Sequence, residues 1–127
     1  MSGFLSSSAH TTLPAEGFDL STINDESVGV PMSRYGRSKL ANILFANALA
    51  SRLAGTQVRV NSLHPGLVDT DMSPKVIGNM TEETVALMKG ADTVVTPEEG
   101  ALTQLYLATS PDVITKDIRG QYFVPTA

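Results

Sequence analysis

Residues 33–66, "SRYGRSKLANILFANALASRLAGTQVRVNSLHPG", constrain the fold of this chain more than any other stretch. Leu40, Leu44 and Ala48 recur at four-residue steps, and Phe45, Leu49 and Leu53 form a neighbouring row. That spacing predicts a helix over 33–53, stopped by Gly55. Its apolar face is wider than one flat surface can cover, so part of it is expected to meet a second layer or another chain. Directly afterwards Val58, Val60 and Ser62 alternate with Arg59, Asn61 and Leu63, which predicts a strand ended by Pro65 and Gly66. Helix, short turn and strand in that order form the repeating unit of an α/β fold.

The remainder extends the same pattern. "MSGFL" reads as the end of a strand running into "SSSAH". Residues 11–32 hold Pro14, Gly17, Gly29 and Pro31 with Asp19, Asp25 and Glu26, which predicts a surface loop with one helical turn. Residues 67–95 are looser, and "TEETVALMKG" within them suggests a short helix with acidic residues early and Lys89 late. In "TPEEGALTQLYLATS" Thr96 can cap a helix, Pro97 suits its first position and Glu99 completes a capping box. Leu102, Leu105 and Tyr106 are its expected buried stripe, and Ser110-Pro111 its end. "GQYFVP" at 120–125 reads as a last short strand. The order predicts one domain over 1–127, the second half of a doubly wound parallel sheet.

Composition narrows the partners. The chain has 127 residues, 42% hydrophobic and 17% charged, enough apolar material for a core. Its formal net charge is -4 with no basic block, which argues against nucleic acid. Without cysteine it can build neither a disulfide framework nor a thiolate metal site. No apolar run reaches the length of a membrane span, and the start lacks the pattern of a signal peptide. The expected location is cytoplasmic by default. "NMT" at 79–81 matches the glycosylation triplet, a match common by chance.

Chemistry concentrates at Tyr35 and Lys39. Positions four apart share a helix face, so the ammonium sits near the phenol and favours its ionised form. A tyrosine so placed can exchange a proton with an alcohol or ketone. The pair alone is cheap, since a Tyr–Lys pair is otherwise a solvated helix face. Its surroundings add weight: "SSSAH" offers hydroxyls to hold a carbonyl oxygen, and "HPGLVDTDM" follows a strand at the edge where α/β sheets bind ligands. His10 and His64 lie far apart in sequence and read as hydrogen-bonding or surface residues rather than metal ligands. Asp69 and Asp71 read as loop solvation rather than a glycosidase pair. Met72, Met80 and Met88 are either adaptable pocket lining or packing.

These pieces in this order resemble the C-terminal half of a short-chain dehydrogenase/reductase. The matching segments are "SSSAH", "YGRSK", "VNSLHPGLVDT" and "GQYFVP", with "SKLANIL" and "HPG" similar to the retinol-dehydrogenase-like branch. The resemblance implies a partial Rossmann-type sheet, three-layer α/β/α when complete, whose dinucleotide-binding N-terminal half and glycine-rich turn are absent here. It implies Tyr35 as general acid–base and as a cofactor-binding residue, and Lys39 as the residue that lowers its pKa and binds the nicotinamide ribose. Ser7 is the implied catalytic serine, with Ser8 and then Ser6 as alternative registers. Pro65 and Gly66 would turn the chain beside the nicotinamide of NAD or NADP. Val68 would offer backbone groups to the carboxamide, and Thr70 a hydroxyl to the cofactor. The implied substrate is a lipophilic alcohol, aldehyde or ketone. The alternative is a non-catalytic interaction module, or a homo-oligomer, using its sheet edge and helix 33–53.

Overall fold

The computed structural model describes residues 1–15, 17–71, 78, 82, 86 and 94–125. Along the chain lie β1 (Ser2–Leu5), α1 (Pro31–Arg52), β2 (Val60–Leu63), β3 (Leu67–Val68), β4 (Val94–Val95), α2 (Pro97–Thr109), α3 (Pro111–Thr115) and β5 (Tyr122–Phe123). The 3₁₀ turn Leu20–Thr22 stands in the loop where the sequence suggested one helical turn, and a second, Ser8–Thr11, begins at the last of the three serines and was not expected. The main sheet is parallel in the order β1-β2-β5, with Leu5 opposite Leu63 and Leu63 opposite Phe123. A second small parallel pair, β3 with β4, sets Val68 opposite Val95.

All four residues of β2 are buried, rather than every second one. The expected alternation fails because a central parallel strand is covered on both faces. On one face Val60 packs with Ala46 and Ala50 of α1, flanked by Phe4, Leu49 and Leu53. On the other, Leu63 packs with Leu107 of α2 and Val113 of α3, flanked by Tyr106, Ile118 and Phe123. Helix, sheet and helices make three layers, a partial doubly wound α/β arrangement. Asn61 is buried in β2 and staples two segments: its Nδ2 donates to Ile118 O at 3.0 Å and its Oδ1 accepts from Gln121 N at 3.0 Å.

Helix α1 begins two residues before the expected Ser33. Pro31 has a ring-fixed φ suited to the first turn, so it opens the helix although Val30 offers no side-chain cap. The helix ends at Arg52, ahead of Gly55, where Leu53 N–H closes back on Leu49 O. Its buried residues are Ser33, Gly36, Arg37, Ile43, Ala46 and Ala50, whereas Leu44 and Phe45 are exposed. Small side chains let α1 approach the sheet closely, so the bulkier Leu44 and Phe45 turn outward while Leu49 and Leu53 pack at the margin of the core. Phe45 retains one partner, meeting Phe4 edge-on at 5.2 Å.

Helix α2 starts as the sequence predicts. Thr96 Oγ1 accepts from Glu99 N, and Glu99 Oε2 accepts from Thr96 N. Its stripe differs: Gly100, Thr103 and Leu107 are buried, while Leu102 and Leu105 are exposed and Tyr106 only partly covered. Gly100 decides the face, because a Cβ there would lie 2.6 Å from Val68 Cγ2 and only glycine lets the helix rest on β3. The strands expected over 58–63 and 120–125 shorten to 60–63 and 122–123. The helix expected within 81–90 lies outside the described residues apart from Glu82 and Ala86, as do Asn79, Met72, Met80 and Met88. No described helix is long and apolar enough to cross a membrane.

Candidate active site

Parallel pairing brings the ends of β1 and β2 to one sheet edge, so the serine segment and "HPG" leave side by side. Ser6 continues the ladder by donating its N–H to Leu63 O at 2.6 Å. Its side chain is buried and its hydroxyl donates to Lys39 O at 2.7 Å. Ser6 therefore spends its proton inside the protein. Ser7, extended at φ -157 and ψ 153, caps the 3₁₀ turn instead, and its Oγ accepts from Ala9 N at 3.2 Å. A hydroxyl that accepts from the backbone still has a proton to give.

Tyr35 and Lys39 share one face of α1. Lys39 Nζ lies over the Tyr35 ring, 5.4 Å from its centroid, within cation–π range. Tyr35 is 44% exposed, so the pair is accessible. Lys39 Nζ also reaches Leu5 O at 3.4 Å, a carbonyl that Asn42 Nδ2 holds more closely at 2.9 Å. The serine segment is thus tied to the Tyr–Lys helix through Ser6, Leu5, Lys39 and Asn42. Asn42 escaped the sequence reading, although its place seven residues after Tyr35 puts it on the same face.

Gly36 was also missed. A Cβ at this position would overlap Thr12 O and lie 2.5 Å from Ala9 O. A glycine inside a helix costs about 1 kcal/mol relative to alanine, and here it permits contact between α1 and the backbone after Ser7. That cost was the available signal.

The loop joining serines and helix is held by arginines. Arg37 is buried and donates to Thr22 Oγ1 at 2.9 Å and Thr22 O at 3.1 Å. Arg34 donates to Glu26 O at 2.8 Å and Gly29 O at 2.9 Å. Within the loop, hydrogen bonds from Ser21 hold the Asp19 carboxyl below its ordinary pKa, and those from Ser27 do the same for Asp25.

Beyond β2, His64 is buried and its Nδ1 accepts from Gly66 N at 3.2 Å. Pro65 and Gly66 turn the chain, with Gly66 at φ 87, a conformation open mainly to glycine. Val68 sits in β3, half-buried, and Asp69 N donates to Val95 O at 2.9 Å. Asp69, Thr70 and Asp71 are exposed, in keeping with loop solvation for the two aspartates. His10 Nδ1 lies 2.8 Å from Ser7 O, so both histidines take hydrogen-bonding roles as the sequence suggested. Their shared neighbour Tyr122 was not foreseen: its ring lies 5.0 Å from His10 and 5.8 Å from His64.

Known proteins resemble this chain in sequence and in fold. A family model described as Enoyl-(Acyl carrier protein) reductase matches residues 13–118. Retinol dehydrogenase 14 of Mus musculus is 46% identical over 89 residues, 70% of this chain and 26% of that protein. Short-chain dehydrogenase TIC 32 A, chloroplastic, of Brassica napus is 37% identical over 124 residues, 94% of this chain and 36% of that protein. The crystal structure of a short chain dehydrogenase from Mycobacterium paratuberculosis bound to NAD superposes with a TM-score of 0.60 at 25% identity, over 98% of this chain and 43% of that one. A putative NAD(P) dependent gluconate 5-dehydrogenase from Beutenbergia cavernae with bound NADP superposes with a TM-score of 0.63 at 25% identity, over 96% of this chain and 42% of that one. The chain spans only 26% and 36% of the two curated relatives.

Proposed function

We propose that Ser7, Tyr35 and Lys39 are the proton-transfer centre of an NAD(P)-dependent oxidoreductase, proceeding from the fact that the chain belongs to the short-chain dehydrogenase/reductase family and is of its retinol-dehydrogenase-like type. The observation that carries this reading is Lys39 seated over the accessible Tyr35 ring, with Ser6 and Asn42 tying that helix to the serine segment.

In reduction, the Tyr35 phenol gives its proton to the carbonyl oxygen of the substrate. In oxidation it takes the proton from the alcohol. The Lys39 ammonium balances the negative charge left on the phenol oxygen. Ser7 keeps its proton and hydrogen-bonds the same substrate oxygen through its hydroxyl, holding it in place. Ser6 is set aside as the donor because its proton is committed to Lys39 O.

The donor set suits the nicotinamide half of the cofactor. Lys39 would hold the ribose hydroxyls, since its one long contact to Leu5 O leaves ammonium protons available. Pro65, Gly66, Val68 and Thr70 would flank the nicotinamide at the sheet's carboxyl edge. When bound, the nicotinamide supplies or accepts the hydride. The substrate is a lipophilic alcohol, aldehyde or ketone, and the chain is the C-terminal, catalytic part of such an enzyme.

Calorimetric titration of the 127-residue chain with NAD and with NADPH tests the reading. Binding of either in the micromolar range supports it, and a flat titration of both counts against it. A second reading, an interaction module, draws on Leu44 and Phe45 of α1 and Met1 and Leu5 at β1, all exposed. Light scattering separates the two: a self-associated chain without cofactor heat favours the module, and a monomer counts against it.

A further inference from the structure

We propose that His10 is a positioning residue for Ser7, acting through its Nδ1–H, and that His10 and His64 flank Tyr122 as opposite neutral tautomers. The proposal rests on the reading of Ser7 as hydrogen-bond donor, but its structural part stands on hydrogen-bond chemistry alone.

Ser7 O lies 2.8 Å from His10 Nδ1. A carbonyl oxygen can only accept, so this nitrogen carries the ring proton. Gly66 N lies 3.2 Å from His64 Nδ1. A backbone N–H can only donate, so here Nδ1 is bare and the proton sits on Nε2. Two histidines beside one tyrosine are therefore held in different states by their own backbone partners.

Tyr122 joins them. Its ring meets His10 nearly edge-on, at 72°, and lies almost parallel to His64, at 22°. Its hydroxyl is 3.4 Å from His10 Nδ1, a second and weaker acceptor for the proton already given to Ser7 O. Tyr122 belongs to β5, His64 directly follows β2, and His10 lies just beyond β1. The three rings tie together the carboxyl ends of all three strands in the main sheet.

This column acts on Ser7. Its carbonyl receives His10 N–H at 3.1 Å as well as the His10 ring, while its Oγ receives Ala9 N–H at 3.2 Å. Turning the Ser7 peptide would break these bonds together. The His10 ring, buttressed by Tyr122, thus holds the peptide whose side chain presents the hydroxyl. The geometry assigns His10 no contact with substrate; it works through Ser7.

Long-range proton–nitrogen correlation spectra of the 127-residue chain, recorded well above the histidine titration range, read both tautomers directly. The proposal expects a protonated Nδ1 on His10 and a protonated Nε2 on His64. The same tautomer on both residues overturns it. Two variants then separate hydrogen bonding from ring packing. His10→Asn keeps an N–H donor near the Nδ1 position, and His10→Gln moves it toward the Nε2 position. Amide exchange at Ala9, whose N–H is held by Ser7 Oγ, should stay near wild type in His10→Asn and quicken about tenfold in His10→Gln. Equal changes in the two variants would reduce His10 to ring packing and refute the positioning role. Neither readout needs cofactor or turnover, so a failure of the oxidoreductase reading would leave these results interpretable.

Discussion

Replacing Gly36 by alanine sets two physical effects against each other with opposite signs. Within a helix, Gly→Ala stabilises by about 1 kcal/mol because alanine loses less backbone entropy. Here the added methyl would overlap Thr12 O and stand 2.5 Å from Ala9 O. Both atoms are backbone, so no flexible side chain can step aside. Ala9 O must retreat by about half an ångström to reach even the closest tolerated separation, and such overpacking costs about 1–3 kcal/mol or more. Two backbone oxygens stand in the way, so the cost lies at the upper end of that range, and the net expectation is a loss of about 1–2 kcal/mol, or roughly 4–8 °C in Tm for a chain of this size. Urea and thermal unfolding, followed by helical circular dichroism, measure the change. Amide shifts should move at Ala9 and Thr12 and stay fixed around α2. A Gly36→Ala chain as stable as wild type, or more stable, would refute the close approach of α1 to the serine segment.

Other expectations follow from the same contacts. Asn61→Ala leaves Ile118 O and Gln121 N–H without their buried partner, and should cost about 2–4 kcal/mol in urea unfolding. Leu63→Ala opens a cavity against Leu107 and Val113 and should cost about 2–5 kcal/mol, read in the same experiment. Asp19 and Asp25 have folded pKa values below 3.8, so their contribution to stability is present above that pH and is lost as pH falls through the lowered values. Amide protection, taken relative to the intrinsic exchange rate at each pH, should therefore be lost first at Ser21 and Ser27 on acidification, and an acid transition that leaves these amides protected would contradict that assignment.

Local chemistry was the legible part of this fold. The Thr96–Glu99 capping box could be read because its partners are three residues apart, and the Tyr35–Lys39 face because helical spacing alone sets it. Which face of each helix is buried was not legible. Gly36 and Gly100 turn α1 and α2 by meeting Ala9, Thr12 and Val68, contacts that no periodicity of α1 or α2 encodes. Strands β3 and β4 have two residues each and lie 25 residues apart, so their pairing carries no local signal. At the site, spacing alone does not order three consecutive serines and the resemblance placed Ser7 first; the commitment of Ser6 to Lys39 O sets it apart from Ser7. The Tyr122 column joins residues more than 50 positions apart, and only the parallel order β1-β2-β5 brings them together.

Turnover of a lipophilic secondary alcohol, followed by the absorbance of reduced nicotinamide, tests the proton-transfer centre most directly when wild type and Tyr35→Phe are compared. The account predicts measurable turnover by wild type and a fall of about 100-fold or more in Tyr35→Phe, with cofactor affinity within a few-fold. A Tyr35→Phe chain within tenfold of wild type, or a wild-type chain with no turnover, would contradict it.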